Sequence, residues 1–258
     1  MNAGARDQSK STVVARDLST RDIRAALANG WDDFAASPLF GLFFAAFYVA
    51  GGLVLLYGLT SVGKGWWLIP VMAGFPLFAP FSAVGLYAVS RQREMGERPG
   101  WGKVLRALMG HGDDQLLTMG GIIFVAFSFW MILAHGVFAI FMGESGIGVD
   151  GSGLTLSFQA AAMILVGSVV GGLFALGLFA ITVVSLPMLV DREVDFITAI
   201  IASLGVFGSN KRVMIGWALL IAFTLALAML PMFLGLFVVL PVLGHATWHL
   251  YRRAVSID

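Results

Sequence analysis

The sequence lacks cysteine and is poor in charged residues. Asp, Glu, Lys and Arg make up 12% of its 258 residues, whereas a soluble domain carries about 25%. So little charge does not cover the surface of a water-soluble globule of this size, and much of the surface must therefore face lipid. The absence of cysteine excludes disulfides, thiolate metal sites and cysteine nucleophiles, and it leaves the redox compartment undetermined. The net charge of +1 gives no indication of nucleic-acid binding.

Long apolar stretches dominate the chain, with 59% hydrophobic residues and a mean hydropathy of +0.89. A helix that spans a bilayer needs about 20 mostly apolar residues. Six stretches meet this need: 39–59, 66–90, 116–141, 158–190, 213–229 and 232–251. The fourth is longer than a bilayer requires, so we expect its ends to lie in the interface or to bend at Pro187. A tight turn near Leu230 and Pro231 separates the last two.

Three shorter segments, 20–31, 98–110 and 195–208, have the pattern of amphipathic helices. The sequence therefore predicts an all-α membrane protein with six transmembrane helices arranged as three hairpins. Each hairpin follows one short amphipathic helix on the cytoplasmic face. The predicted organisation is a disordered cytoplasmic N-terminal tail (1–19), a transmembrane domain (20–253) with hairpins at about 38–90, 116–190 and 213–251, and a cytoplasmic C-terminal tail (254–258).

Basic residues are distributed unevenly between the two predicted sides. One side holds the N-terminal tail, the loops after the second and fourth spans, and the C-terminus. Every Lys and Arg of the chain except Lys64 lies on that side. The positive-inside rule places it in the cytoplasm, so both termini are expected to be cytoplasmic.

Two histidines are the strongest ligand candidates. His245 and His249 are four residues apart and share one helix face, a spacing that paired imidazole ligands use. A catalytic zinc site needs a third ligand, and four residues could offer one from the same side: His111, Asp113, Asp114 and Asp191. The alternative is that His245 forms a hydrogen bond within the bundle while His249 lies among lipid headgroups. A haem pairing of His135 with His245 is disfavoured because their depths differ.

Charged residues also cluster just beyond the fourth span, where Asp191, Arg192 and Asp195 follow one another closely. They form either a docking or gating point or a solvated turn in which Asp195 caps the next helix. Together with His245 and His249, these three residues make up the candidate functional cluster at the cytoplasmic face. No catalytic residue and no bound cofactor is predicted, although haem or metal ligation by the two histidines remains open.

A face of small residues lies on the fourth span and consists of Gly167, Ser168, Gly171 and Gly172. Small residues at this spacing let two helices approach closely. We expect packing within the protein rather than dimerisation, because five other helices need neighbours.

Two stretches, Ser185–Ser203 (SLPMLVDREVDFITAIIAS) and Gly244–Arg252 (GHATWHLYR), resemble the C-terminal half of a bacterial family. It comprises the predicted integral membrane proteins of domain of unknown function 2189. The segment FSAVGLYAVSR, residues 81–91, is similar to the second helix of that family. The resemblance covers about residues 20–253 and implies a multi-spanning protein of the bacterial inner membrane. It implies no activity and no ligand residues.

Three functions are compatible with these features. The first is a non-enzymatic accessory or assembly factor that packs against other membrane proteins and membrane lipids. The second is a small transporter or lipid-handling protein built from repeats, since Pro70, Pro80 and Arg91 match Pro231, Pro241 and Arg252 at one constant offset. It predicts a polar cavity that reaches the middle of the membrane. The third is a haem- or metal-binding membrane protein that uses the two histidines.

Overall fold

The structure, a computed structural model, describes residues 12–61, 79–108, 114–142 and 158–257. These ranges contain nine helices: α1 (Thr20–Ala36), α2 (Pro38–Ser61), α3 (Ala79–Glu94), α4 (Trp101–Leu108), α5 (Gln115–Met142), α6 (Phe158–Asp191), α7 (Phe196–Ser209), α8 (Lys211–Met229) and α9 (Leu236–Ala254). Two short strands, β1 (Thr12–Val14) and β2 (Val255–Ile257), pair in antiparallel fashion. The predicted helical class is thus confirmed, apart from this small strand pair.

Four of the described helices are long and apolar enough to cross a membrane, namely α2, α5, α6 and α8. They correspond to the first, third, fourth and fifth predicted spans. Most of the second predicted span lies outside the described residues, which include only its end as α3. The sixth corresponds to α9, whose length of 19 residues would suffice but whose polar side chains lower its hydropathy. The count of six spans and the three-hairpin arrangement are therefore not confirmed.

Helix α9 is the centre of the fold, because α1, α2, α3, α6 and α8 all pack against it. Small residues permit these close contacts. A Cβ atom on Gly30 of α1 would lie 2.7 Å from the backbone nitrogen of Ala246, and one on Gly244 would lie 2.6 Å from Cδ1 of Leu86. Because most residues of α9 are buried against other helices, α9 can carry polar side chains that would be costly against lipid.

The three predicted amphipathic segments are helical. For α7 the predicted N-cap residue is also confirmed, because the side chain of Asp195 accepts a hydrogen bond from the backbone N–H of Thr198. Helix α4 begins at Trp101, two residues after Pro99, and its predicted end at Gly110 lies outside the described residues. Helix α1 continues beyond the predicted segment to Ala36 and packs along α9.

The N-terminal segment from residue 12 to residue 19 is attached to the helices, whereas the sequence predicts a disordered tail over 1–19. Strand β1 pairs with β2, which itself lies in the predicted C-terminal tail. Leu18 is buried, and its backbone N–H donates to Oδ1 of Asn210 at 3.0 Å. The Nδ2 atom of Asn210 donates in turn to the carbonyl of Ala15 at 2.7 Å. These tertiary bonds satisfy backbone groups that local sequence alone leaves unpaired.

Helix α6 passes through Pro187 without ending and has 34 residues, so it is roughly 50 Å long and exceeds the bilayer core. A hydroxyl group of α7 contacts α6 about one turn before Pro187. Ser203 Oγ donates to the carbonyl of Ala180 at 2.7 Å and accepts from the N–H of Val184 at 3.2 Å. Those two backbone groups are partners in a regular helix. A side chain that joins such a pair can bend a helix, and here it also ties α7 to α6.

The predicted turn between the last two spans lies where expected, although it is wider. Helix α8 ends at Met229 and α9 begins at Leu236. Met232 and Phe233 adopt positive φ angles of 50° and 66°. Phe233 is buried, and a Cβ on Gly52 of α2 would lie 2.7 Å from its ring.

Candidate functional site

A buried carboxylate brings the two candidate histidines together. Oδ2 of Asp33, on α1, lies 2.9 Å from Nε2 of His249 and 4.0 Å from Nδ1 of His245, both on α9. Its Oδ1 accepts a hydrogen bond from Nε of Arg93 on α3 at 2.7 Å. Ser90 Oγ, also on α3, lies 2.7 Å from Nδ1 of His245. We call these five residues the Asp33 cluster, and it joins α1, α3 and α9.

The Asp33 cluster stabilises the ionised carboxylate. Asp33 is 6% exposed, and burial by itself raises the pKa of a carboxyl group. Hydrogen bonds from His249, Ser90 and Arg93 outweigh burial and lower the pKa of Asp33 to about 2. At neutral pH Asp33 therefore only accepts hydrogen bonds, and Nε2 of His249 must be the donor.

The ring nitrogens of the two histidines differ in their hydrogen bonding. Nε2 of His249 is occupied by its bond to Asp33. Nε2 of His245 is buried and has no hydrogen-bond partner among the residues that the structure describes. Within the described ranges, no group of three His, Cys, Asp or Glu side chains has an arrangement that suits a metal ion. Of the proposed third ligands, Asp191 binds other residues, and His111 and Asp113 lie outside the described residues.

A second ionic cluster surrounds Asp191 at the end of α6. Its Oδ2 accepts hydrogen bonds from Tyr251 Oη at 2.8 Å and from Arg252 at 2.9 Å. Nε of Arg192 lies 3.4 Å from the same oxygen, and Nε of Arg91 lies 3.5 Å from Oδ1. These five residues form the Asp191 cluster, which joins the C-terminal ends of α3, α6 and α9.

The five residues of the candidate functional cluster thus occupy three separate places. His245 and His249 belong to the Asp33 cluster, while Asp191 and Arg192 belong to the Asp191 cluster. Asp195 caps α7 and is exposed. The cluster of the histidines joins α1, α3 and α9, whereas the cluster of Asp191 joins α3, α6 and α9.

Sequence reasoning missed Asp33, Ser90 and Arg93. A signal for Asp33 existed in the pattern of α1, whose buried residues include Ile23, Ala26, Gly30 and Asp33. This spacing repeats on one helix face, so a carboxylate occupies a position where an apolar side chain is expected. Such a residue indicates a buried partner, although it does not say which one.

A wide apolar groove runs between α6 and α8, over a floor made by α9 and α3. Its volume is about 670 Å³. Exposed leucines form its walls, among them Leu173 of α6 and Leu219 of α8. Thr182 and Thr247 also line it, but each hydroxyl donates to a carbonyl of its own helix at 2.8 Å. We call this feature the α6–α8 groove.

The four small residues predicted as one face of α6 lie on two different surfaces of the helix. Gly171 lies against α5, because a Cβ there would be 2.6 Å from the ring of Trp130. A Cβ on Gly167 would lie 3.8 Å from Val137, also on α5. Ser168 and Gly172 line the α6–α8 groove instead. Close packing of α5 on α6 thus uses only half of the predicted face.

Comparison with known proteins gives one match. Residues 68–191 match the model of the predicted integral membrane protein family with domain of unknown function 2189, DUF2189. Over these residues the chain resembles DUF2189 proteins. The predicted resemblance is confirmed for residues 68–191, and beyond them it stays a prediction. The chain is an integral membrane protein with several helices able to span a membrane. No curated protein and no solved structure matches it.

The DUF2189 match contains the segment 81–91 and ends at Asp191. It therefore includes Ser90, Arg93 and the carboxylate of the Asp191 cluster. Asp33, His245 and His249 lie outside it. The family description names no activity.

Proposed function

We propose that this protein is a non-enzymatic accessory or assembly factor that holds an apolar transmembrane segment of another membrane protein. The α6–α8 groove is the observation that carries the proposal. It lies along two membrane-spanning candidates and opens sideways between them. Its lining matches a lipid-embedded helix in chemistry, because apolar side chains dominate and the hydroxyls of Thr182 and Thr247 are engaged by their own helices.

Two further features favour a helix as the occupant. Ser168 and Gly172 lie in the groove, and no atom of the described residues comes within 4 Å of a Cβ placed on Gly172. Small residues on an open helix face permit close approach of a second helix in lipid, where packing rather than the hydrophobic effect drives association. Helix α8 is also poorly covered by the rest of the protein. Of its most apolar 18-residue stretch, 22% is buried, compared with 61% for the corresponding stretch of α6.

The polar clusters support a role without chemistry. The carboxylates of Asp33 and Asp191 are each surrounded by hydrogen-bond donors from two or more helices. An acid or base in catalysis needs access to a substrate proton, and saturated carboxylates of this kind instead hold helices in register. The absence of an enzymatic role remains part of the proposal.

The groove can be tested directly because the chain contains no cysteine. The variant Ala222→Cys places one thiol on the groove wall, and Ala139→Cys places one on the exposed face of α5 as a matched control. Each thiol is labelled with a photo-crosslinker in native membranes. We expect Ala222→Cys, but not Ala139→Cys, to yield a discrete protein adduct. The same protein should co-purify with wild type tagged after Asp258. Protein adducts at neither position, with no stoichiometric companion, would contradict the proposal.

Lipid handling is the second candidate, and the openness of the same groove favours it. The transporter interpretation predicts a polar cavity, whereas this groove is apolar and suits an acyl chain better than a polar solute. In the crosslinking experiment, a lipid adduct at Ala222→Cys without any protein adduct would select this candidate. Six helices in three repeated hairpins remain its proposed architecture.

The proposed location is the bacterial inner membrane, with six spans and with both termini in the cytoplasm. The clustering of Arg91, Arg192 and Arg252 around Asp191 supports a common side for the ends of three helices. The pairing of β1 with β2 supports a common side for the two termini. Reporter fusions after Asp258 test this topology, since a reporter active only in the cytoplasm should be active there. Activity of a periplasmic reporter at the same point would overturn the assignment.

A further inference from the structure

A second cavity, of about 360 Å³, lies between α3 and α4. Arg91 and Gln92 line it from α3, and Lys103 and Arg106 line it from α4. Val190, in the last turn of α6, also contributes to the lining. Three basic side chains therefore converge on one small volume that is separate from the α6–α8 groove.

Aromatic contacts place this cavity at the level where helices enter the membrane. The ring of Trp101, at the start of α4, lies 4.3 Å from the ring of Phe40 and 5.0 Å from that of Phe43, measured between centroids. Both phenylalanines belong to the first two turns of the spanning candidate α2. Val190 lies at the opposite end of another, α6. Tryptophan prefers the headgroup region, and the cavity thus lies at that depth.

The charges of the lining do not cancel. Lys103 pairs with Glu97 at 2.6 Å, and Arg91 lies 3.5 Å from Asp191. Nε of Arg106 donates to the carbonyl of Gly102 at 3.1 Å, and this guanidinium makes no ion pair within the described part of the chain. Of the three cations, Arg106 is therefore the one whose charge no acidic side chain of the described residues balances, and an anion in the cavity would do so.

We propose that this cavity binds the phosphate of an anionic phospholipid such as phosphatidylglycerol. Basic pockets between helices at the cytoplasmic membrane surface recognise such headgroups. Apolar residues beside the cations, Met95, Ala107 and Val190, provide a surface for the glycerol and the first acyl carbons. Leu105, on the outer face of α4, is 42% exposed, so its side chain is available to contact lipid. This site does not depend on the occupant of the α6–α8 groove.

The test is lipid binding by the full-length protein in detergent, measured by native mass spectrometry. The protein is offered equal amounts of phosphatidylglycerol and phosphatidylcholine with identical acyl chains. The double variant Lys103→Gln/Arg106→Gln removes two cavity charges. Lys211→Gln/Arg212→Gln removes two exposed charges at the start of α8 and serves as a matched control. We expect the preference for phosphatidylglycerol to fall about fivefold for each cavity charge removed and to stay unchanged in the control.

Three results would overturn the proposal. The first is equal loss of preference in both double variants, which would mean a general effect of charge. The second is an unchanged preference in the cavity variant. The third is displacement of phosphatidylglycerol by millimolar inorganic phosphate, which would identify a free-phosphate site. The melting temperature of each lipid-free variant is measured alongside. It should remain near that of wild type, because the Lys103–Glu97 pair is exposed and contributes little stability.

Discussion

Oδ2 of Asp33 lies 2.9 Å from Nε2 of His249, although the two residues are 216 positions apart in the chain. The contact fastens the first described helix to the central one. Its strength depends on ionisation, because only the carboxylate accepts from His249 and Arg93 together. The position of α1 is therefore coupled to the charge of Asp33.

The variant Asp33→Asn should destabilise the protein by about 2 kcal/mol at neutral pH. The folded pKa of Asp33 is about 2 and the ordinary value is 3.8. A lowered pKa contributes stability above the unfolded value, and this contribution is lost as the pH falls from about 4 towards 2. Thermal unfolding in detergent across this range measures the effect. Wild type should lose stability there, and Asp33→Asn should be nearly insensitive to this step.

The control for this prediction is Asp32→Asn, which alters the exposed neighbouring carboxylate. It should unfold at the temperature of wild type. Equal unfolding temperatures for the two variants would show that the Asp33 cluster contributes no specific stability.

The variant Gly30→Ala should separate α1 from α9. The new Cβ would lie 2.7 Å from the backbone atoms Ala246 N and Val242 O, and neither helix backbone can move aside cheaply. We expect a loss of about 1–3 kcal/mol in the free energy of unfolding. The new Cβ of Gly58→Ala, in α2, has no atom of the described chain segments within 4 Å, and this variant should be neutral or slightly stabilising. A Gly30→Ala protein as stable as Gly58→Ala would contradict the close crossing.

The variant Ser203→Ala should weaken the attachment of α7 to α6. It removes the hydroxyl that donates to Ala180 and accepts from Val184. Loss of this buried link should cost about 1–3 kcal/mol, measured as a lower denaturation midpoint. Ser209→Ala, at the exposed end of the same helix, is the matched control and should have no effect. Similar denaturation midpoints for both variants would show that the Ser203 hydrogen bonds do not stabilise the fold.

The variant Asn210→Ala should release the N-terminal segment without unfolding the bundle. It removes the amide that bonds Leu18, Ala15 and Val206. Limited trypsin digestion measures the release, because Arg16 is exposed within this segment. We expect faster cleavage after Arg16 in Asn210→Ala and an unchanged rate in Asn29→Ala, which alters an exposed Asn of α1. Equal rates would mean that strand pairing alone holds the segment.

Most helices could be predicted because their signals are local. The apolar run before Ser61 and the cap at Asp195 each predict an element from adjacent residues alone. Boundaries were less accurate where a tertiary contact decides them. The last helix begins at Leu236 rather than near 232, because Phe233 is inserted against Gly52 in the preceding turn.

The candidate site was predicted only in part. Spacing identified His245 and His249 as neighbours on one face, and the structure confirms that both point to one place. Spacing did not identify Asp33 as their partner, because its carboxylate comes from a helix at the other end of the chain. His249 bonds to Asp33 whereas Tyr251 bonds to Asp191, so the histidines and Asp191 have different partners, and a functional link between them stays a prediction.

The sequence by itself determined that this is a helical membrane protein, because hydrophobicity summed over about 20 residues decides whether a segment is stable in lipid. It also determined where basic residues concentrate along the chain. Only the tertiary structure decided which polar groups meet, which glycines admit a neighbouring helix, and where α6 and α8 leave a groove. These features depend on distances between segments remote in the chain, and packing sets those distances.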